Sequence, residues 1–225
     1  MANKNQEEQN AIEKLNENLT STSQKIAENK KVIFMVLGGI AVVAAAVLIY
    51  FFAYRNPRNN KAFEQYNQVE INSRGNDSIA TAEYIKVAEN YSGTDAGSFA
   101  ALSAAENLYD AGKYQEALKY LDKFSCSEPV LKANVTALKG DCYVNLKKYG
   151  EAIDCFKKAI SQADKNPQIV PRVLFKMANV YDAQKKYQDA LDCYEQIKAE
   201  YPTVQIGGNM GVEAYIDREK ARLGK

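Results

Sequence analysis

Histidine is absent from all 225 residues. Its absence removes His-based acid–base catalysis, Ser-His and Cys-His nucleophile pairs, and every His-containing metal site. Neither sign of charge dominates: 29 Lys and Arg stand against 28 Asp and Glu, so nothing global draws nucleic acid or an acidic partner. Cysteine is scarce as well. Cys126, Cys142, Cys155 and Cys193 lie 16, 13 and 38 residues apart with no C-x-x-C pair, which argues against a Cys-only zinc site. An even number permits disulfides without requiring them, and the redox compartment stays open. A phosphate loop is missing: GGNMG at 207–211 lacks the Gly-Lys-Ser/Thr that would complete one. Acidic pairs such as Glu7-Glu8 read as solvated helix surface. The chain is therefore expected to be no enzyme, with no catalytic residue, cofactor, metal or small-molecule substrate.

What is present begins with one long apolar run. Residues 32–54, VIFMVLGGIAVVAAAVLIYFFAY, carry no charge. As a helix they would span about 34 Å, enough to cross the ~30 Å hydrocarbon core. Lys30-Lys31 and Arg55 bracket the run, and Tyr50, Phe51, Phe52 and Tyr54 gather at one end, where aromatic rings favour the interface. The 31 residues before it hold five Lys and five Glu, unlike the short basic leader of a cleaved signal peptide. An uncleaved single transmembrane helix is expected, preceded by a polar N-terminal tail over 1–31 and followed by a linker over 55–60. The flanking basic residues are tied: Lys14, Lys25, Lys30 and Lys31 on one side, Arg55, Arg58, Lys61 and Arg74 on the other, so they set no orientation.

The rest of the chain repeats itself. AGKYQEALKYLDKF at 111–124 returns as LKKYGEAIDCFKKA at 146–159 and as QKKYQDALDCYEQI at 184–197. Ala117, Ala152 and Ala190 are spaced 35 and 38 apart, each followed one helical turn later by Leu121, Phe156 and Tyr194. Upstream stand Ala105, Gly140 and Ala178, and a weaker copy places Ala80 in register with Gln68 and Ile71 before it. The pattern reads as helix pairs in which a small residue on the first helix faces the alanine of the second, letting the backbones approach closely. Gly75 and Gly112 mark two of the turns, while Asn145-Leu146-Lys147 and Ala183-Gln184-Lys185 serve in the others. Proline or a polar residue is expected to end each second helix, with Pro129, Asp164 and Pro202 in those places. Cys155 and Cys193 hold equivalent places in successive units, beyond the roughly 7 Å Cα limit of a disulfide. All four cysteines are expected as small packing residues.

These residues carry a resemblance to the tetratricopeptide repeat, with its Gly-x-x-Tyr, Ala-x-x-x-Phe and Pro over a unit of about 34 residues. Gly140, Tyr143, Ala152 and Phe156 follow it best, and Ala178, Tyr181, Ala190, Tyr194 and Pro202 come next. The copy at 101–129 lacks the tyrosine, and the copy at 61–92 matches through its second helix alone. The resemblance implies an all-α helical solenoid over 61–225, of about four helix pairs, with VEAYIDREKARLGK as a charged terminal helix capping the stack.

In such an array the first helices line a concave groove. Helical phase assigns to it Leu102, Glu106 and Tyr109, then Asn134, Asp141 and Asn145, then Arg172, Phe175, Lys176, Asn179 and Asp182. A polar groove with an occasional aromatic suits an extended peptide or a partner helix. The carboxylate clamp of some tetratricopeptide domains is not expected: Arg172 and Lys176 match its basic pair, but Leu102, Glu106 and Leu138 occupy its other places. The layout of leader, span and repeats resembles the single-span ancillary subunits of the bacterial SecYEG protein-export translocon. That resemblance implies a single-pass inner-membrane protein with its N-terminus cytoplasmic and its repeats periplasmic. Its protein partners would be translocon subunits, periplasmic chaperones or client polypeptides. The alternatives are a scaffold for envelope assembly or cell division, and a cytosol-facing chaperone receptor on an organelle membrane.

Overall fold

The computed structural model describes Lys14, residues 29–206 and residues 211–225. The expected tail lies largely outside them, as does GGNMG apart from Gly211. Among the described residues every regular element is helical, and the chain divides into two compact units, Met1–Pro57 and Arg58–Lys225.

In the first unit, α1 (Lys30–Ile49) has no buried residue, and its apolar side chains, Phe34, Val42 and Ile49 among them, are exposed. By length and composition this is a helix able to cross a membrane. A π-helical turn over Tyr50–Arg55 follows, just ahead of Pro57 in α2 (Asn56–Ser73). Proline lacks the N–H that an α-turn needs, and a widened turn is one way a helix absorbs that loss. The stretch 55–60, expected as a linker, is helical throughout.

In the second unit four helix pairs follow one another: α2 with α3 (Asp77–Asn90), α4 (Asp95–Asp110) with α5 (Tyr114–Leu121), α6 (Pro129–Asn145) with α7 (Tyr149–Gln162), and α8 (Val170–Ala183) with α9 (Tyr187–Glu200). A last helix, α10 (Gly211–Arg222), closes the stack. This is the tetratricopeptide-type solenoid expected from the repeats.

The helices of the stack start in two ways. Asn76, Thr94 and Glu128 cap α3, α4 and α6 with side-chain oxygens that accept from backbone N–H groups of the first turn, at 3.1 Å to Ile79 and 3.0 Å to Gly97 in the first two cases. By contrast α5, α7 and α9 have no side-chain cap. They inherit their start from the preceding helix's end: the amide N–H of Lys113, Lys148 and Lys186 donates to the carbonyl of Leu108, Tyr143 and Tyr181 at 2.8, 2.9 and 2.9 Å. That closure requires one left-handed residue, supplied by Gly112, Lys147 and Lys185 at φ 74°, 62° and 58°. One conformation is thus written with glycine once and with lysine twice.

The first pair departs from the expected register. Gln68 and Ile71 were aligned with the buried face, but Ile71 is 68% exposed, and the buried positions on α2 are Ala62, Val69 and Ser73. Its turn carries two consecutive left-handed residues, Arg74 and Gly75, where the others carry one. The additional residue shifts the phase with which α2 enters its pair. A second correction concerns Pro129. It opens α6 at the first helical turn, where a missing N–H does no harm, while α5 has already stopped at Leu121.

The core is continuous through α6, which gives Val135 and Cys142 to the packing around α3–α5 and Ala133 and Ala137 to the packing around α7–α10. One close contact corrects the expected small-on-small packing. A Cβ added at Gly140 would lie 2.4 Å from Phe156 Cε1, so the ring, not Ala152, covers the glycine. Phe156 is fully buried, a burial that stabilises by about 1.5–3 kcal/mol. Gly140→Ala should therefore lower stability by about 1–3 kcal/mol through overpacking against the ring, measured by urea unfolding. Unchanged stability would show that the ring has room to move.

Candidate binding groove

Polar pairs join each first helix to the next at nearly constant separation along the chain. Tyr66 Oη and Ser103 Oγ lie 3.1 Å apart between α2 and α4. Asn145 Nδ2 donates to Tyr109 Oη at 3.3 Å between α6 and α4. Lys176 Nζ donates to Asp141 Oδ2 at 2.5 Å between α8 and α6. Arg218 Nη2 donates to Asp182 Oδ2 at 3.0 Å between α10 and α8, and Arg222 also reaches Asp182. The set forms a ladder with one rung at each junction, in which α10 takes the place of a fifth first helix.

The ladder divides the eleven residues assigned to the groove. Leu102, Glu106, Asn134, Asp141, Arg172 and Lys176 meet around one cavity of about 230 Å³. Its floor is apolar and includes Leu138, together with Leu131, Ile169 and Val173, to which the repeat pattern assigned no place in the groove. Leu131 and Ile169 each precede an assigned residue, Asn134 or Arg172, by three positions, so helical phase alone held that signal. Tyr109 and Asn145 are joined to one another in the second rung. Phe175, Asn179 and Asp182 are engaged by the end of the stack. The Phe175 ring lies 5.0 Å from that of Tyr215 and 5.7 Å from that of Tyr194. Tyr194 Oη donates to Asn179 Oδ1 at 3.0 Å.

Around Asp182 the closing helix is locked by charge. Glu219 has no exposed surface, and it accepts from Arg218 Nε at 2.7 Å and Arg222 Nη1 at 3.2 Å. A buried carboxylate held this way is stable only while its cations remain. The charged capping helix expected from VEAYIDREKARLGK thus carries its charge inward as well as outward.

Inside the groove the carboxylates are held less comfortably. Loss of solvation raises the pKa of Asp141, against the opposing pull of Lys176. Glu106 reaches solvent, yet the apolar wall around it, and then Asp110 one turn on, raise its pKa as well. The cysteines are all free, and burial pushes Cys142 and Cys193 up to about 12, leaving their thiols protonated at neutral pH. Among the described residues no three Cys, Asp or Glu side chains gather as metal ligands.

Comparison with known proteins adds to this geometry. A family model described as Tetratricopeptide repeat matches residues 132–199, and one described as Anaphase-promoting complex, cyclosome, subunit 3 matches residues 76–159. No curated protein sequence matches the chain. Among solved structures, MamA is similar at a TM-score of 0.55 and 19% identity over 68% of this chain and 82% of that one. Nearly identical TPR-like repeats from Podosopora anserina give 0.57 and 13% over 74% and 88%. The apo form of RapI gives 0.56 and 17% over 74% of this chain, which spans 53% of RapI. At these identities the likeness is one of fold.

Two predictions follow from the charges. A raised carboxylate pKa means that the stability Glu106 contributes is full below its unfolded value near 4.5 and is lost as pH rises through the folded value. Glu106→Gln should therefore raise stability at pH 7, by under about 1 kcal/mol because the group still meets solvent, read by urea unfolding. The gain should vanish below pH ~4.5. A constant gain across that range would place the effect outside ionisation. Glu219→Gln should lower stability by about 1–3 kcal/mol through its weakened charged hydrogen bonds, and hydrogen exchange should show α10 loosening before the rest.

Proposed function

We propose, from the premise that the chain carries a tetratricopeptide-repeat solenoid and acts as a protein–protein interaction scaffold, that it is tethered to a membrane by α1 and binds a partner's polypeptide segment in the groove between α4, α6 and α8. The observation that carries this reading is the cavity itself. Its floor is apolar, its rim holds Glu106, Asn134, Asp141, Arg172 and Lys176, and about 230 Å³ accommodates a large apolar side chain. Such a rim fixes orientation through hydrogen bonds while the floor supplies the burial.

The tether reading rests on the exposed apolar surface of α1, which is stable in lipid and not in water. We further assign the scaffold to protein export or periplasmic folding, in the inner membrane with its repeats in the periplasm. That assignment is supported by the layout of polar leader, single span and repeats, which resembles translocon ancillary subunits.

Photo-crosslinking in cells from Asn134 and Arg172, both exposed at the groove rim, tests the reading. Adducts with translocon subunits, emerging polypeptides or a periplasmic chaperone are expected. Adducts confined to division or cell-wall factors would move the assignment to an envelope scaffold. Adducts from outward positions of α5 and α7 alone would overturn the groove.

A further inference from the structure

The rung between Asp141 and Lys176 differs from the others in standing between two cavities. On one side lies the hollow already described, floored by Leu102, Leu138 and Val173; on the other lies one of about 360 Å³ against Val144, Phe156 and Val180. Asp141 and Lys176 border both, so their ion pair is a bar dividing what would otherwise be one longer groove.

The two ends of the bar are held unequally. The Asp141 side chain is 17% exposed and that of Lys176 43%. Among the described residues Lys176 is the one cation paired with Asp141. An incoming group that drew Lys176 away would strand a desolvated carboxylate, which is strongly unfavourable. An incoming cation that replaced Lys176 on Asp141 would only return a long, flexible ammonium to water, which its stem already reaches. The surroundings favour the second course. Glu106 stands on the same wall with no cation paired to it among the described residues. Arg172 is anchored through its Nε to the Gln168 carbonyl at 2.5 Å and keeps its charge at the rim.

We propose that the ligand of this groove is a protein segment carrying an arginine or lysine between two apolar side chains. The cation takes Asp141 from Lys176 and opens the bar, and the apolar side chains fill the cavities on either side. Arginine suits the place better, because its planar fork can bind both carboxylate oxygens. The inference rests on the groove reading above and specifies its ligand.

A random nonapeptide library displayed on phage, selected on the full chain in detergent, tests it. Enrichment of a basic residue flanked by apolar ones is expected. A synthetic peptide of the selected sequence should bind Asp141→Asn roughly tenfold weaker or worse, while Lys176→Met, which removes its competitor, binds it at least as tightly as the wild type. Equal losses in the two variants would reveal a bar of purely structural value and overturn the inference, as would selected peptides with an acidic or uncharged centre. Leu138→Arg, which fills the smaller cavity, separates this failure from that of the groove. Peptides blocked by it but lacking the cation leave the groove reading standing and sink this inference. Peptides indifferent to it, or no enrichment, sink both.

Discussion

The fit of a second-helix ring over a first-helix residue without a side chain governs the spacing of the best-formed unit. Gly140 lets Phe156 approach to a distance that a single added carbon would forbid. At equivalent positions the neighbouring units hold Ala105 and Ala178, with Leu121 and Tyr194 buried on their second helices. Close approach within each pair turns the second helices' large residues inward and leaves the first helices to stack on one another. The concave face follows from that division, since the first helices line most of it.

Stacking by apolar contact would leave each pair free to slide on the next. The polar rungs remove that freedom, one junction at a time, with pairs made by residues that could otherwise have been ligand contacts. At the C-terminal end the same device is used for closure. Asp182 is taken by Arg218 and Arg222, Glu219 is buried between them, and Phe175 is covered by Tyr215. The stack therefore ends by filling its own last stretch of groove, and the open stretch lies between α4, α6 and α8.

How much of this was legible follows from sequence distance. The helix pairs were readable because Ala152 and Phe156, or Ala190 and Tyr194, state their relation within one helix and repeat it. The turns were readable as well, even at Lys147 and Lys185 where glycine is missing, because position in the repeat located them, though not their left-handed backbone. The register of α2 was not, since the two left-handed residues of its turn leave no compositional mark beyond one glycine. Nor were the rungs: Asp141 with Lys176 and Asp182 with Arg218 join different repeats, and helical phase places each side chain on a face without saying which neighbour it will meet. Pro129 misled because the family pattern ends a helix there, while local chemistry serves equally to begin one.

The measurement that bears most directly on the account is hydrogen exchange of the full chain, alone and with the partner that copurifies from cells. If the concave face is the working surface, added protection will concentrate in α4, α6 and α8, and α5 and α7 will exchange as before. Protection confined to the second helices, or to α1, would contradict the account and move the binding surface off the groove.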